Sequence, residues 1–187
     1  VQQVVADDAI DAWAAVEALG GLVDRSLVSV SADEPPRYRL LDSPRVFARE
    51  LLAAAGEFDT IASRHARAMR SLYESSCDSL IRSATPAVAT FATMDADLDN
   101  AQAALQWAQT HDEQTAASLT MAIGAHLALT GSGIMGIPQH LIPTNVPLEQ
   151  LPCGQVSLWS WTMSRARPAI PVRREWADRA IAHARAH

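Results

Sequence analysis

Leu22-Val23-Asp24-Arg25-Ser26-Leu27-Val28-Ser29-Val30, then Ser31 to Pro36, then Arg37-Tyr38-Arg39-Leu40-Leu41, is the stretch on which the fold turns. The second half of the first run is β-branched and alternating. Asp33-Glu34-Pro35-Pro36 lies between the two short apolar runs, and that arrangement predicts a hairpin. Upstream, Asp7-Asp8 precede Ile10, Trp13, Val16 and Leu19, which recur every three residues. Acids at the start and Gly20-Gly21 at the end predict a helix between them. Downstream, Asp42-Ser43-Pro44 supplies an N-cap candidate with proline in the first turn. That helix runs to Gly56, with Val46, Phe47, Leu51 and Leu52 on one side.

Residues 1–56 therefore read helix, strand, turn, strand, helix. A helix followed by a β-hairpin is the second half of a winged helix, with the hairpin as its wing. From Glu57 the chain reads helical to about Ser83, with Ile61, His65, Met69 and Leu72 on one face, and Thr85-Pro86 breaks it. Asp95-Ala96-Asp97-Leu98-Asp99 starts another helix, whose stripe is Leu98, Ala101, Leu105 and Ala108. Thr110-His111-Asp112 separates it from a third, about Glu113 to Thr130. Two helices joined by a short polar turn form an αα-hairpin, the unit of helical repeats. Residues 131–155 hold eight glycines and prolines and read as a long irregular loop. Val156 to Met163 and a final amphipathic helix, about Val172 to His187, suggest a second helical hairpin.

The 187 residues suffice for one or two small domains with a core of their own. Hydrophobic residues make up 49% and charged residues 19%, which excludes a disordered tail. Alanine supplies 35 positions and aromatics only 5%, which favours helices in close contact over a β-sandwich. Fifteen basic and 21 acidic residues leave −6, against a chain-wide nucleic-acid footprint. All fifteen basic residues are arginine, which fits codon bias better than a built anion site. Two cysteines, Cys77 and Cys153, are no disulfide scaffold and favour a reducing compartment. The chain opens at Val1 without a signal-peptide pattern, and the start reads as a cut inside a longer protein. Gln114 to Leu148 contains no charged residue, yet its best window carries Thr120, His126, Thr130 and Ser132. That is too polar for a membrane span and reads as a buried helix followed by a loop.

Few motifs carry chemistry. Gly131-Ser132-Gly133-Ile134-Met135-Gly136 matches G-x-G-x-x-G, but a helix precedes it and Pro138 follows it, the wrong setting for a dinucleotide. Without lysine there is no Walker A loop. Asp95, Asp97 and Asp99 open like a calcium loop, but Asn100 and Gln106 stand where glycine and glutamate are needed, and acids at a helix start explain them better. His183 and His187 lack H-E-x-x-H context. Cys153 has no evident base. No catalytic or metal residue is assigned. Arg37, Arg39, Arg45 and Arg49 form the one local basic cluster, a candidate protein interface or nucleic-acid contact. Acidic Asp33 and Glu34 at the hairpin tip weigh against DNA. Trp159 and Trp161 are a candidate ligand or partner surface.

Two segments resemble a known family. Leu22 to Leu52, from Leu-Val-Asp-Arg-Ser-Leu-Val through Tyr-Arg-Leu-Leu-Asp-Ser-Pro-Arg-Val-Phe-Ala-Arg-Glu-Leu-Leu, resembles the winged helix after the ATPase of bacterial STAND-type, NB-ARC-like regulators. Leu98-Asp99-Asn100-Ala101-Gln102-Ala103-Ala104-Leu105-Gln106-Trp107-Ala108 is similar to the segment that opens the family's tetratricopeptide-like array. The resemblance covers residues 1–130 and is loose after Gly131. It implies a nucleotide pocket upstream, a winged helix packed on the ATPase, a helical array that senses a ligand or partner, and transcriptional output from another domain.

The expected fold is mainly α: a winged-helix portion with a small β-hairpin at 1–56, then a tetratricopeptide-like helical region at 57–187. Trp13, Val23, Leu27, Tyr38, Leu40 and Phe47 are expected to close the first core, and Leu98, Leu105, Trp107, Leu119, Ile123 and Leu127 the second. The expected function is a non-catalytic regulatory and protein-interaction module of a cytoplasmic signal-transduction ATPase that controls transcription. Its expected partner is the upstream ATPase domain or another regulator. No cofactor is expected within this chain; ATP and magnesium are expected upstream. The alternatives are a DNA-binding winged helix and a small-molecule-sensing helical domain.

Overall fold

Capping chemistry sets several of the element boundaries. A computed structural model describes residues 2–6, 10–82 and 86–130, and beyond them only 156, 174, 177–179, 181–183 and 185. Its elements are α1 (Gln2–Val5), α2 (Ala12–Asp24), β1 (Val28–Val30), β2 (Tyr38–Leu40), α3 (Asp42–Ala54), α4 (Phe58–Arg82), α5 (Ala87–Ala96), α6 (Leu98–His111) and α7 (Glu113–Leu129). The protein is mainly helical with one small two-stranded antiparallel sheet. The chain forms two compact units, Val1–His65 and Ala66–His187. The 131–155 stretch, Cys153, Trp159 and Trp161 lie outside the described residues. So does half of the expected final helix, which is helical at its described positions.

In the first unit the hairpin forms as expected. Val28 pairs with Leu40, Ser29 with Arg39 and Val30 with Tyr38. The helix before it is shifted. Asp11, not Asp7-Asp8, is the N-cap, with its Oδ1 accepting from the Ala14 N–H at 2.7 Å. Gly20-Gly21 do not end the helix, since a glycine costs only about 1 kcal/mol inside one. The chain leaves it at Ser26, whose φ is 58°. The Ser26 N–H donates to Val23 and the Leu27 N–H to Leu22, closing the last turn as a Schellman motif. Helix α3 ends the same way, with Gly56 at φ 70°. At its start Leu41 takes the cap position, and Asp42 lies inside the first turn, paired with Arg45 at 2.7 Å.

The first core differs from expectation. Only Ala15 and Val28 are buried among the described residues of this unit. Trp13 is 77% exposed, Phe47 61% and Tyr38 49%, while Val23, Leu27 and Leu40 are half-buried. Helix geometry explains Trp13. A step of three residues falls about 60° short of a full turn. Ile10, Trp13, Val16 and Leu19 therefore fan around α2 instead of lining one face, and only Leu19 reaches the half-buried side. On α3 the inward stripe is Pro44, Ala48 and Leu52, which leaves Phe47 and Leu51 on its flank.

The second unit closes well. Ala66, Tyr73, Cys77, Met94, Ala101, Ala104, Leu105, Leu119, Ala122 and Ile123 form one buried cluster, with Leu98, Trp107 and Leu127 packed against it. All six side chains expected there take part. Alanines at 101, 104 and 108 bring α6 close to α7. Helix α7 is buried at Thr115 and then without a break from Ala117 to His126, with Ala116 half-buried. Asp112 ends α6 and caps α7, accepting from the Thr115 N–H at 3.0 Å and its hydroxyl at 2.7 Å. Helix α5 is an addition to the sequence reading. Asp95 belongs to it, and α6 begins after Asp97.

Candidate functional site

The described surface offers two features. One is the set of large apolar side chains exposed in the first unit. Ile10, Trp13, Val16, Leu22, Val30, Tyr38, Leu41, Val46, Phe47 and Leu51 are all exposed. The described residues of the second unit expose only Ile81, Val88 and Ile181 among large hydrophobics. Isolated exposed apolar side chains are ordinary, but ten within 42 residues that bury only two are not. Three of the six residues expected in the core, Trp13, Tyr38 and Phe47, thus reappear as surface.

Arg37, Arg39, Arg45 and Arg49 stand in the same unit. Arg39, Arg45 and Arg49 are exposed and Arg37 is half-buried. Arg37 also closes the hairpin: its N–H donates to the Ser31 hydroxyl at 3.0 Å, and its carbonyl accepts from the Ser31 N–H at 2.8 Å. Arg45 is held by Asp42, and the Arg49 guanidinium lies 5.5 Å from the Phe58 ring centroid. Arg45 and Arg49 are thereby engaged locally. Asp33 and Glu34 are exposed at the hairpin turn, as the sequence suggested.

The second feature is a polar seam inside the α4–α7 core, which sequence reasoning missed. Glu74 Oε1 accepts from Arg70 Nε at 2.7 Å and from the Ser118 hydroxyl at 2.8 Å, joining α4 to α7. The Tyr73 hydroxyl donates to the Met94 carbonyl at 2.8 Å, joining α4 to α5. His126 Nε2 lies 2.7 Å from Asp95 Oδ1, joining α7 to α5, and the Phe91 ring is 5.9 Å from the imidazole. His126 Nδ1 is buried and makes no hydrogen bond among the described residues. Burial, then the charges of Asp97 and Asp95, pushes the Tyr73 phenol well above its usual range. Burial, then Glu74, pushes the Cys77 thiol up to about 12, so Cys77 is no thiolate nucleophile at neutral pH. The His126 side chain is 0% exposed. These groups tie helices together. The i, i+4 and tertiary partners of this seam leave no motif in sequence, which is why only Thr120, Thr130 and His126 stood out there, as marks against a membrane span.

Among the described residues no group of three or more His, Cys, Asp or Glu could hold a metal ion, and no helix is long and apolar enough to cross a membrane. Asp97 and Asp99 sit at the start of α6 and Asp95 on α5, so the three acids belong to two helices. No protein-family model, curated protein or solved structure matches this sequence.

Proposed function

We propose that this chain is a non-catalytic regulatory and protein-interaction module of a bacterial signal-transduction ATPase that controls transcription. The observation behind this reading is the contrast between the two units. The second buries one hydrophobic cluster of large and small side chains, whereas the first leaves Trp13, Phe47, Leu51 and Tyr38 at its surface. Concentrated apolar surface marks sites where another protein docks. The family resemblance of Leu22 to Leu52 supplies the partner, an ATPase domain encoded upstream, with its own ATP and magnesium. The local engagement of Arg45 and Arg49 favours a protein face over a DNA-reading wing.

The experiment is to read the parent frame upstream of Val1 and look for G-x-x-x-x-G-K-[ST]. The upstream segment is then co-expressed with this chain, with and without nucleotide. Co-purification that responds to nucleotide supports the reading. A frame without an ATPase, or two parts that never associate, sinks it.

A further inference from the structure

Helix α2 has the composition of a buried helix and the exposure of a surface one. Eleven of its thirteen residues, Ala12–Asp24, are Ala, Trp, Val, Leu or Gly, and the two charged ones are Glu17 and Asp24. A helix apolar all round is ordinarily buried, yet here Ala15 is the only buried residue. Its exposed side has two parallel lines. Trp13 and Gly20, seven residues apart, stand about two turns apart on one line, with Val16 beside them. Open space surrounds Gly20, where an added Cβ would meet nothing within 4 Å. Trp13 and Gly20 thus make a ridge and a notch. Glu17 and Asp24, again seven apart, form the neighbouring line. Both are exposed, and neither has a hydrogen-bond or ion-pair partner among the described residues.

We propose that this face of α2 docks a basic amphipathic helix of a partner protein. That helix would fill the notch at Gly20 with one large apolar side chain. It would set two cationic side chains about 10 Å apart against Glu17 and Asp24, the spacing of seven residues at 1.5 Å each. Charge argues for this occupant. The charged residues within α2 itself are both acidic, Glu17 and Asp24, and Arg25 beyond its end turns its guanidinium to the Gly21 carbonyl at 2.9 Å. A second copy of the chain fits poorly. An antiparallel α2 pair centred between Val16 and Glu17 places like charges together. The arginines of the hairpin and α3, exposed Arg39, Arg45 and Arg49 with half-buried Arg37, fall in pairs only about 6–7 Å apart along their elements, Arg37 with Arg39 and Arg45 with Arg49. The inference rests on the interaction-module reading and names the chemistry of one partner surface.

The test uses the whole chain and synthetic leucine-ridged helical peptides that differ only at two edge positions seven residues apart. One peptide carries two arginines there and the other two glutamates. The arginine peptide is expected to bind about tenfold more tightly and to shift Trp13 emission, a change that disappears in W13F. Glu17→Arg with Asp24→Arg is expected to reverse the preference. The milder Glu17→Gln with Asp24→Asn is expected to abolish it, with helicity unchanged by circular dichroism in each case. Equal binding of both peptides, or a preference that survives charge reversal, overturns the proposal. So does a dimer in sedimentation equilibrium that Trp13→Ala dissociates, since the occupant is then a second copy. Capture of the upstream ATPase segment undiminished by the charge reversal also overturns it, while leaving the interaction-module reading intact.

Discussion

Asp112 shows how much a single side chain decides. It ends one helix, caps the next and accepts two hydrogen bonds from Thr115. Partial burial pushes its carboxyl up, but the Thr115 bonds and the charges of Arg70 and Arg67 outweigh this, and the carboxyl sits below its ordinary value. A depressed carboxyl contributes stability that is fully present above the unfolded value, near pH 4, and is lost as pH falls through the folded one. Asp112→Ala is expected to cost about 1 kcal/mol at pH 7 in urea unfolding and to flatten the acid limb of the stability profile. An unchanged acid limb would show that Asp112 is not the group responsible. His126 makes the opposite case. Its Nδ1 is buried without a partner among the described residues, so part of its pairing with Asp95 is offset by desolvation. Asp95 is 59% exposed and can return to water. His126→Leu is therefore expected to leave stability within about 1 kcal/mol of wild type or to raise it. A loss of several kcal/mol would mean that the imidazole is fully satisfied.

Among the elements, α5 was not legible in sequence, α2 was legible with shifted ends, and α6 and α7 were the most legible. Leu98, Leu105, Leu119 and Ile123 follow helical spacing and close a core as that spacing dictates. The polar turn at residues 110–112 marks its boundary in composition as well as in structure. In α2 two local signals misled. Spacing by three resembles a stripe but drifts around the helix, and paired glycines resemble a stop that the downstream Leu22-Val23 overrides. The real stop rests on Ser26 in a left-handed conformation, which no serine advertises. Helix α5 was missed because its hydrophobic side is too short and mixed to show a period, and Pro86 at its N-cap looked only like a break. The arginine cluster was legible as residues, but its ties to Asp42 and Phe58 depend on side-chain placement. These boundaries give paired expectations. Ser26→Gly removes left-handed strain and should stabilise by about 1 kcal/mol. Gly20→Ala, in open space inside a helix, should stabilise by about as much, whereas Gly56→Ala, at positive φ, should destabilise. Thermal unfolding of the three variants distinguishes this account from one in which Gly20-Gly21 ends the helix, since Gly20→Ala would then destabilise.

At the scale of the molecule, the chain divides its hydrophobic residues unequally. Residues 66–130 use theirs to hold themselves together. Residues 10–51 leave many of theirs outside, and we infer that a partner covers them. The two sets should respond differently to truncation. Leu119→Ala is expected to cost about 2–5 kcal/mol of stability in the isolated chain. Phe47→Ala, at an exposed site, should cost less than about 1 kcal/mol there, yet weaken any complex with the upstream segment. Chemical denaturation of the isolated chain and binding of the variant check the two halves separately. The account stands most directly on where a partner lands. Hydrogen–deuterium exchange of this chain, alone and with the upstream segment of its parent, measures that. Protection concentrated in α2, the hairpin and α3 is the expected result. Protection confined to α6 and α7, with α2 and α3 exchanging as in the free chain, would contradict it.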